Sequence, residues 1–437
     1  MIPSSRMIWI VAVVGFPAAT LAALSPESRL AAVGCLILVA AVIAADALMR
    51  ARTLDGIRVD LPELVRIFKD RPAEIRVRVH HMNKGRIRVG IVVPDGIAAD
   101  SEEIDVDLPE ATKISEFVSN WTAHRRGLYR VDAVYLEAIS PWGMWQVRRK
   151  DHAAMEIRAY PNLRRDNDLK ALRQGVSGAH SVRQVGRGRE FEKLREYLPG
   201  DGFDEIHWKA TARRGRPITK VFQVERTQEI YVIIDRSRLS ARPAGVHTGD
   251  ETALEQSISA GLIVGAAAEK RGDLFGLAAF GDQVDAFVRA RNGKAHYAAC
   301  RDAIYQLHPK PVTPDFDEIA TFLRLRLRRR AMVLFLTSLD DPVLAENFAR
   351  ATKLLARRHL VLAGMLRPAS ARRLFEGEVE TTEDVYRDLA GHIAWRKLKE
   401  LEASLARQGV RLSVIEPGNF SSALIGIYDS VKQRQLL

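Results

Sequence analysis

The residues best placed to do chemistry lie between positions 189 and 240. The apolar run Glu229–Ile234 ends in Asp235-Arg236-Ser237. A carboxylate and a hydroxyl at the carboxyl end of a buried strand sit where open α/β sheets bind ligands, so this edge is a candidate for hard-cation or polar-ligand binding. Upstream, Glu190, Glu192, Asp201, Asp204 and His207 gather carboxylates around one imidazole. A Glu190/Asp201/His207 set would offer general acid–base chemistry, the basis of a hydrolase reading. No nucleophile stands beside it, so a catalytic constellation is not complete and an enzyme is not the expected outcome. The same segment carries Phe191, Tyr197, Trp208 and Phe222 among Arg195, Arg213, Arg214 and Arg216. Aromatics interleaved with arginines are what protein interfaces concentrate. Packing of those aromatics onto the chain's own C-terminal domain is the competing reading.

The elements around Asp235 follow from hydrophobic period. The patterns predict strands at 229–234, 274–280, 331–337, 359–366 and 410–415. They predict helices at 251–270, 295–307, 315–329, 343–357, 384–407 and 419–433, with Val284–Val288 as an antiparallel edge strand. Strands that alternate with helices and are apolar throughout imply a doubly wound parallel sheet covered on both faces. The basic run Arg324–Arg330 falls at a helix end, where cations favour the dipole; nucleic-acid binding is the alternative.

Residues 54–162 read as β-rich. Alternation over 74–79, 86–91, 103–108, 129–136 and 155–160, with turns at Asn83-Lys84-Gly85 and Pro141-Trp142-Gly143, predicts a small β-sandwich-like domain. Adjacent His80 and His81 point to opposite faces of a strand and cannot share a metal. Arg125-Arg126-Gly127 reads as a solvated turn. Residues 163–188 are polar and read as a linker.

The first 52 residues read as a transmembrane helical hairpin. Met7–Leu24 is free of charge, Leu30–Met49 holds only Asp46, and Ser25–Arg29 is a breaker-containing turn. A signal peptide is the competing reading of the first run, and the second run argues against it. Arg6, Arg50, Arg52 and Arg58 flank the spans, which puts both ends and all that follows in the cytoplasm. A net charge of +12 favours acidic partners, foremost the lipid beside the spans. Without a glycine-rich phosphate loop or an RNA-recognition signature, nucleic acid is not the expected partner. Two cysteines, Cys35 and Cys300, make no disulfide framework.

The whole chain resembles the bacterial "domain of unknown function 58" family. The match is carried by Arg189-Glu190-Phe191, Leu194-Arg195-Glu196-Tyr197, Pro199-Gly200-Asp201 and Ile206-His207-Trp208-Lys209-Ala210-Thr211-Ala212-Arg213. The resemblance implies a membrane hairpin, a β-rich domain and a von Willebrand factor A-like domain over 229–437, with 189–228 as signature segment. It implies an adaptor or assembly role beside a MoxR-type AAA+ ATPase at the bacterial inner membrane. Such A domains often carry a metal-ion-dependent adhesion site, Asp-x-Ser-x-Ser followed by a Thr and an Asp from later loops, holding Mg²⁺. Asp235, Ser237 and Thr313 match. Leu239 stands at the second serine, and Leu339 stands at the aspartate, with Asp340 one residue late. The site is therefore expected to be degenerate. Ser240 would stand in for the missing serine only if its loop is re-routed.

Overall fold

The computed structural model describes the chain apart from residues 1, 25–28, 50–53, 83–84, 164–184, 187–189, 199–201, 204–205, 224–227, 246–250, 375–380 and 435–437. Most of the expected linker, the turns at 25–28 and 83–84, the flanking Arg50 and Arg52, and Gly200, Asp201 and Asp204 lie outside the described residues. The chain divides into two compact units, Met1–Asn162 and Leu163–Leu437.

In the first unit, strand β1 (Ile2–Pro3) precedes two helices, α1 (Ser5–Leu24) and α2 (Arg29–Met49). Both helices are long and apolar enough to cross a membrane. One turn of α1, Val11–Gly15, is wound as π-helix. The β strands that follow are β2 (Arg58–Asp60), β3 (Leu64–Phe68), β4 (Pro72–His80), β5 (Gly85–Ile91), β6 (Ile97–Ala99), β7 (Glu103–Leu108), β8 (Ile114–Ala123), β9 (Gly127–Ile139) and β10 (Trp145–Tyr160). They form one sheet in the order β1-β10-β9-β5-β7, with β3 also on β10, and a second in the order β2-β4-β8-β6. The alternation seen in the sequence places Ile75, Val77 and Val79 of β4 and Ile87 and Val89 of β5 in one shared core with Trp121 and Leu136. Strands β2, β3, β6 and β8 were not predicted. Arg126 is buried at 2% exposure, so its turn is not the solvated one expected. His80 pairs with Asp60 at 2.9 Å while His81 is buried against Ser115, on the opposite faces expected of neighbours in a strand.

The hairpin ends and the β9–β10 turn are tied together. Asp46, the one acidic residue in α2, is fully buried. Its carboxylate accepts from Ser140 Oγ at 2.5 Å, Trp142 N–H at 3.0 Å and Met144 N–H at 3.1 Å. Trp145 donates its indole N–H to the Ile43 carbonyl at 3.1 Å, and Ser4 donates its N–H to the Met144 carbonyl at 2.9 Å. A charge this costly to bury is tolerated because donors from the turn meet it on both oxygens.

The second unit opens with a three-stranded sheet, β11 (Val185–Gly186), β12 (Glu190–Glu196) and β13 (Ile218–Gln223), in the order β11-β13-β12. Helix α3 (Trp208–Arg214) sits between β12 and β13 in the chain. Then come β14 (Glu229–Asp235), α4 (Ala253–Lys270), β15 (Leu274–Phe280), β16 (Val284–Arg291), α5 (Lys294–Ile304), α6 (Phe316–Arg326), β17 (Ala331–Leu336), α7 (Pro342–Ala356), β18 (Leu360–Leu366), α8 (Thr382–Arg407), β19 (Val410–Ile415) and α9 (Phe420–Gln433). Every expected strand and helix of this region is present, within a few residues at each end. The sheet runs β16-β15-β14-β17-β18-β19, parallel except for the edge strand β16. Tyr231 and Ile233 of β14 face a core with α6, α7 and α8, while Ile230, Val232 and Ile234 face one with α4, α5 and α9. Two buried faces explain why β14 is apolar throughout. Burial of each such side chain is worth about 1.5–3 kcal/mol, enough in sum to carry one polar residue at the strand end. Gly265 lets α4 close on the sheet, because a Cβ there would lie 2.6 Å from the Phe275 ring.

Candidate functional site

Strand order reverses between β14 and β17, since one continues to β15 and the other to β18. Their carboxyl ends are the point at which open sheets leave a crevice. Asp235 closes β14 there and is 3% exposed. Its Oδ1 accepts the Ser237 N–H at 2.8 Å and its Oδ2 accepts the Thr337 hydroxyl at 2.6 Å. Burial raises the Asp235 carboxyl above the ordinary carboxylate range, against the opposing pull of the Thr337 and Ser237 hydrogen bonds.

Past Ser237 the chain makes a 3₁₀ turn, Arg238–Ala241. The turn sends Leu239 into the core at 2% exposure and brings Ser240 to the crevice. The Ser240 hydroxyl donates to the Ser237 carbonyl at 2.8 Å. Ser240, and not Leu239, is thus the side chain that this turn presents to the crevice. Ser240, Ser257 of α4, Thr337 and Ser338 line a cavity of about 20 Å³ beside Asp235, room for one water-sized occupant. Ser257 and Ser338 had no place in the sequence reading. Only the packing of α4 and the end of β17 brings them in.

The remaining expected ligands are not brought to this cavity. Thr313 is exposed and does not line it. Asp340 pairs with Arg242 at 2.7 Å. Leu339 is buried at 1% exposure, its N–H directed at Met365 Sδ. Arg236, beside Asp235 in sequence, turns away to Asp285 at 3.5 Å and to the His308 carbonyl. No group of three His, Cys, Asp or Glu residues able to hold a metal occurs among the described residues. One carboxylate with both oxygens already engaged, plus hydroxyls, does not fit the ligand set of the adhesion-type Mg²⁺ site.

The signature segment builds a different surface. His207 caps α3, its Nδ1 accepting the Ala210 N–H at 3.0 Å, and Gly215 ends the helix at φ +65°. The His207 N–H donates to the Ile218 carbonyl at 2.7 Å, and Thr211 Oγ1 accepts the Ile218 N–H at 3.0 Å. Ile206, Ile218 and Thr219 are buried beneath. This frame leaves Trp208 67% exposed, with Lys209, Ala212 and Arg213 also outward. Arg195 donates to the Glu196 carbonyl, Glu196 pairs with Arg216, and Tyr197 meets the exposed Phe203 at 6.3 Å between ring centroids. Leu194 is 36% exposed. The side chains of Glu190 and Phe191 and the whole of Asp201 lie outside the described residues, so of the hydrolase set only His207 is placed, as a helix cap. The Cys300 thiol is fully buried, and burial pushes it up to about 12, so it is protonated at neutral pH.

Among curated proteins, the uncharacterised protein YeaD of Bacillus subtilis is 36% identical over 62 residues, 14% of this chain and 15% of that protein. An uncharacterised protein of Mycobacterium bovis is 26% identical over 190 residues, 43% of this chain and 58% of that protein. The chain thus spans less than two thirds of either relative. Among solved structures, BatB from Bacteroides thetaiotaomicron is 14% identical and covers 47% of this chain and 99% of its own, with a TM-score of 0.28. An aerotolerance-related membrane protein from Bacteroides fragilis is 14% identical, covering 46% and 98%, with a TM-score of 0.30. Both scores are too low to establish a shared fold. Residues 193–387 match the family described as "Protein of unknown function DUF58". Over that stretch, less than half of its length, this chain is similar to the DUF58 family.

Proposed function

We propose that this chain is a membrane-anchored adaptor that captures a MoxR-type AAA+ ATPase through the α3 face and works in assembly or activation of membrane or envelope complexes. The exposure of Trp208 on a short, firmly capped helix supports it most. An indole 67% exposed beside Lys209 and Arg213 has the composition of an interface centre. That exposure favours a partner over internal packing for these residues. The C-terminal unit is read as von Willebrand factor A-like, on the strand order and on the polar crevice where β14 and β17 part. It binds rather than catalyses in this reading. The two apolar helices hold it in the inner membrane, and the flanking arginines set the soluble units on the cytoplasmic side.

The test is affinity capture of the detergent-solubilised chain from its own cells, split between Mg²⁺ and EDTA and read by mass spectrometry. Enrichment of a MoxR-type ATPase by the wild type, and its loss in Trp208→Ala, is the expected result. Equal enrichment by both chains would remove α3 from the contact.

A further inference from the structure

The run Arg324–Arg330 is more than the capping charge of a helix. A helix end carries about half a unit of negative charge, and Arg324 and Arg326 in the last turn of α6 already exceed it. Arg328, Arg329 and Arg330 follow beyond the helix. Packing of α6 on α7, through Phe316 against Phe348, brings a second basic end alongside. Arg358, just past α7, donates to the Arg328 carbonyl. Residues 319–339 and 347–375 contain no Asp or Glu. Arg324, Arg328, Arg329 and Arg357 pair with no acid among the described residues.

Between the two helix ends lies a hollow of about 370 Å³ lined by Thr321, Arg324, Leu325, Leu354, Arg358 and His359. That is the small end of the range for ligand sites. His359 is 4% exposed, and its Nδ1 has no hydrogen-bond partner among the described residues. Burial first, and then Arg358 and Arg330, hold its pKa below the ordinary histidine value. Two leucines stand at the same site, Leu325 at 78% and Leu354 at 47% exposure.

We propose that this hollow binds the phosphoryl headgroup of anionic membrane lipid, docking the C-terminal unit on a bilayer. The arginines and the Thr321 hydroxyl meet phosphoryl oxygens, and the exposed leucines meet the acyl boundary. A surface for single-stranded nucleic acid would present aromatic platforms instead; here Phe322 lies under the Arg326 guanidinium. The two apolar helices keep a bilayer at high effective concentration.

The experiment uses the full chain in nanodiscs of neutral phosphatidylcholine, or with about one third phosphatidylglycerol. Amide exchange of residues 321–330 and 353–359 is followed. Exchange slows only in the anionic discs, and Arg324→Gln and Arg358→Gln each weaken that slowing about fivefold. Identical exchange in both discs overturns the proposal. So does slowing by inorganic phosphate in neutral discs with none from phosphatidylglycerol, which would make free phosphate the ligand. Slowing by a single-stranded DNA oligonucleotide alone would likewise overturn it in favour of nucleic acid.

Discussion

At the scale of single residues, Asp235 shows how a side chain can be found in sequence and its partners missed. Its position at the end of an apolar strand marks it. Its hydrogen-bond partner Thr337, just past β17, and the Ser240 and Ser257 that share its cavity come from other parts of the chain. No spacing rule reports which hydroxyl faces a carboxylate 102 residues away. Asp340, the other carboxylate expected at the site, is drawn to Arg242 instead. The raised pKa of Asp235 fixes the sign of a pH effect. The folded chain holds that proton more tightly than the unfolded chain, so the group favours folding at low pH. This contribution is lost as pH rises through the raised folded value. Asp235→Asn keeps an acceptor and carries no charge. Its thermal midpoint should therefore exceed that of the wild type at neutral pH and converge with it towards about pH 4. A variant less stable than wild type across that range would contradict the account. Because the ligand set is incomplete, excess Mg²⁺ should leave the wild-type midpoint where EDTA leaves it; a clear Mg²⁺-dependent rise would restore the metal site.

At the scale of elements, the parallel sheet was legible almost strand by strand. Burial on both faces makes each strand a continuous apolar run, and the helices carry caps such as Thr252, Asp315, Asp341 and the Thr381–Asp384 box. The β-rich unit was less legible. Strand β8 has Phe117 and Val118 side by side and Ser119 buried, which breaks the alternation that betrays its neighbours. The joint between Asp46 and the β9–β10 turn was invisible, as its partners are 94 to 98 residues apart. Asp46→Ala would strand the Ser140 hydroxyl and two backbone donors. At about 1–3 kcal/mol for a buried unsatisfied group, amide exchange at Trp142 and Met144 should quicken at least about fivefold, less so in Asp46→Asn. Unchanged exchange would mean that the turn holds itself. Loss of the α3 cap in His207→Ala should cost about 1 kcal/mol of stability, read as a lower unfolding midpoint. Loss of a measurable hydrolytic turnover in that variant, still folded, would instead support the acid–base reading.

At the scale of the whole molecule, sequence outlined two apolar helices, a β-rich unit and an α/β unit, and the structure keeps that plan. What sequence could not weigh was the surface. A tryptophan in a motif reads equally as core or as contact, and only its exposure decides between them. The same holds for Arg324–Arg330, ordinary as a run and distinct once α7 adds a second basic end. The central claim is that the α3 face holds a MoxR-type ATPase. The most direct measurement is equilibrium binding of that purified ATPase to the full chain in neutral nanodiscs, comparing wild type with Trp208→Ala and Arg213→Glu. Truncation of an interface hot spot costs about 2 kcal/mol or more. The account therefore predicts at least about thirtyfold weaker binding for Trp208→Ala, with an unfolding midpoint unchanged. Wild-type binding retained by both variants, or no binding by the wild type, would contradict it.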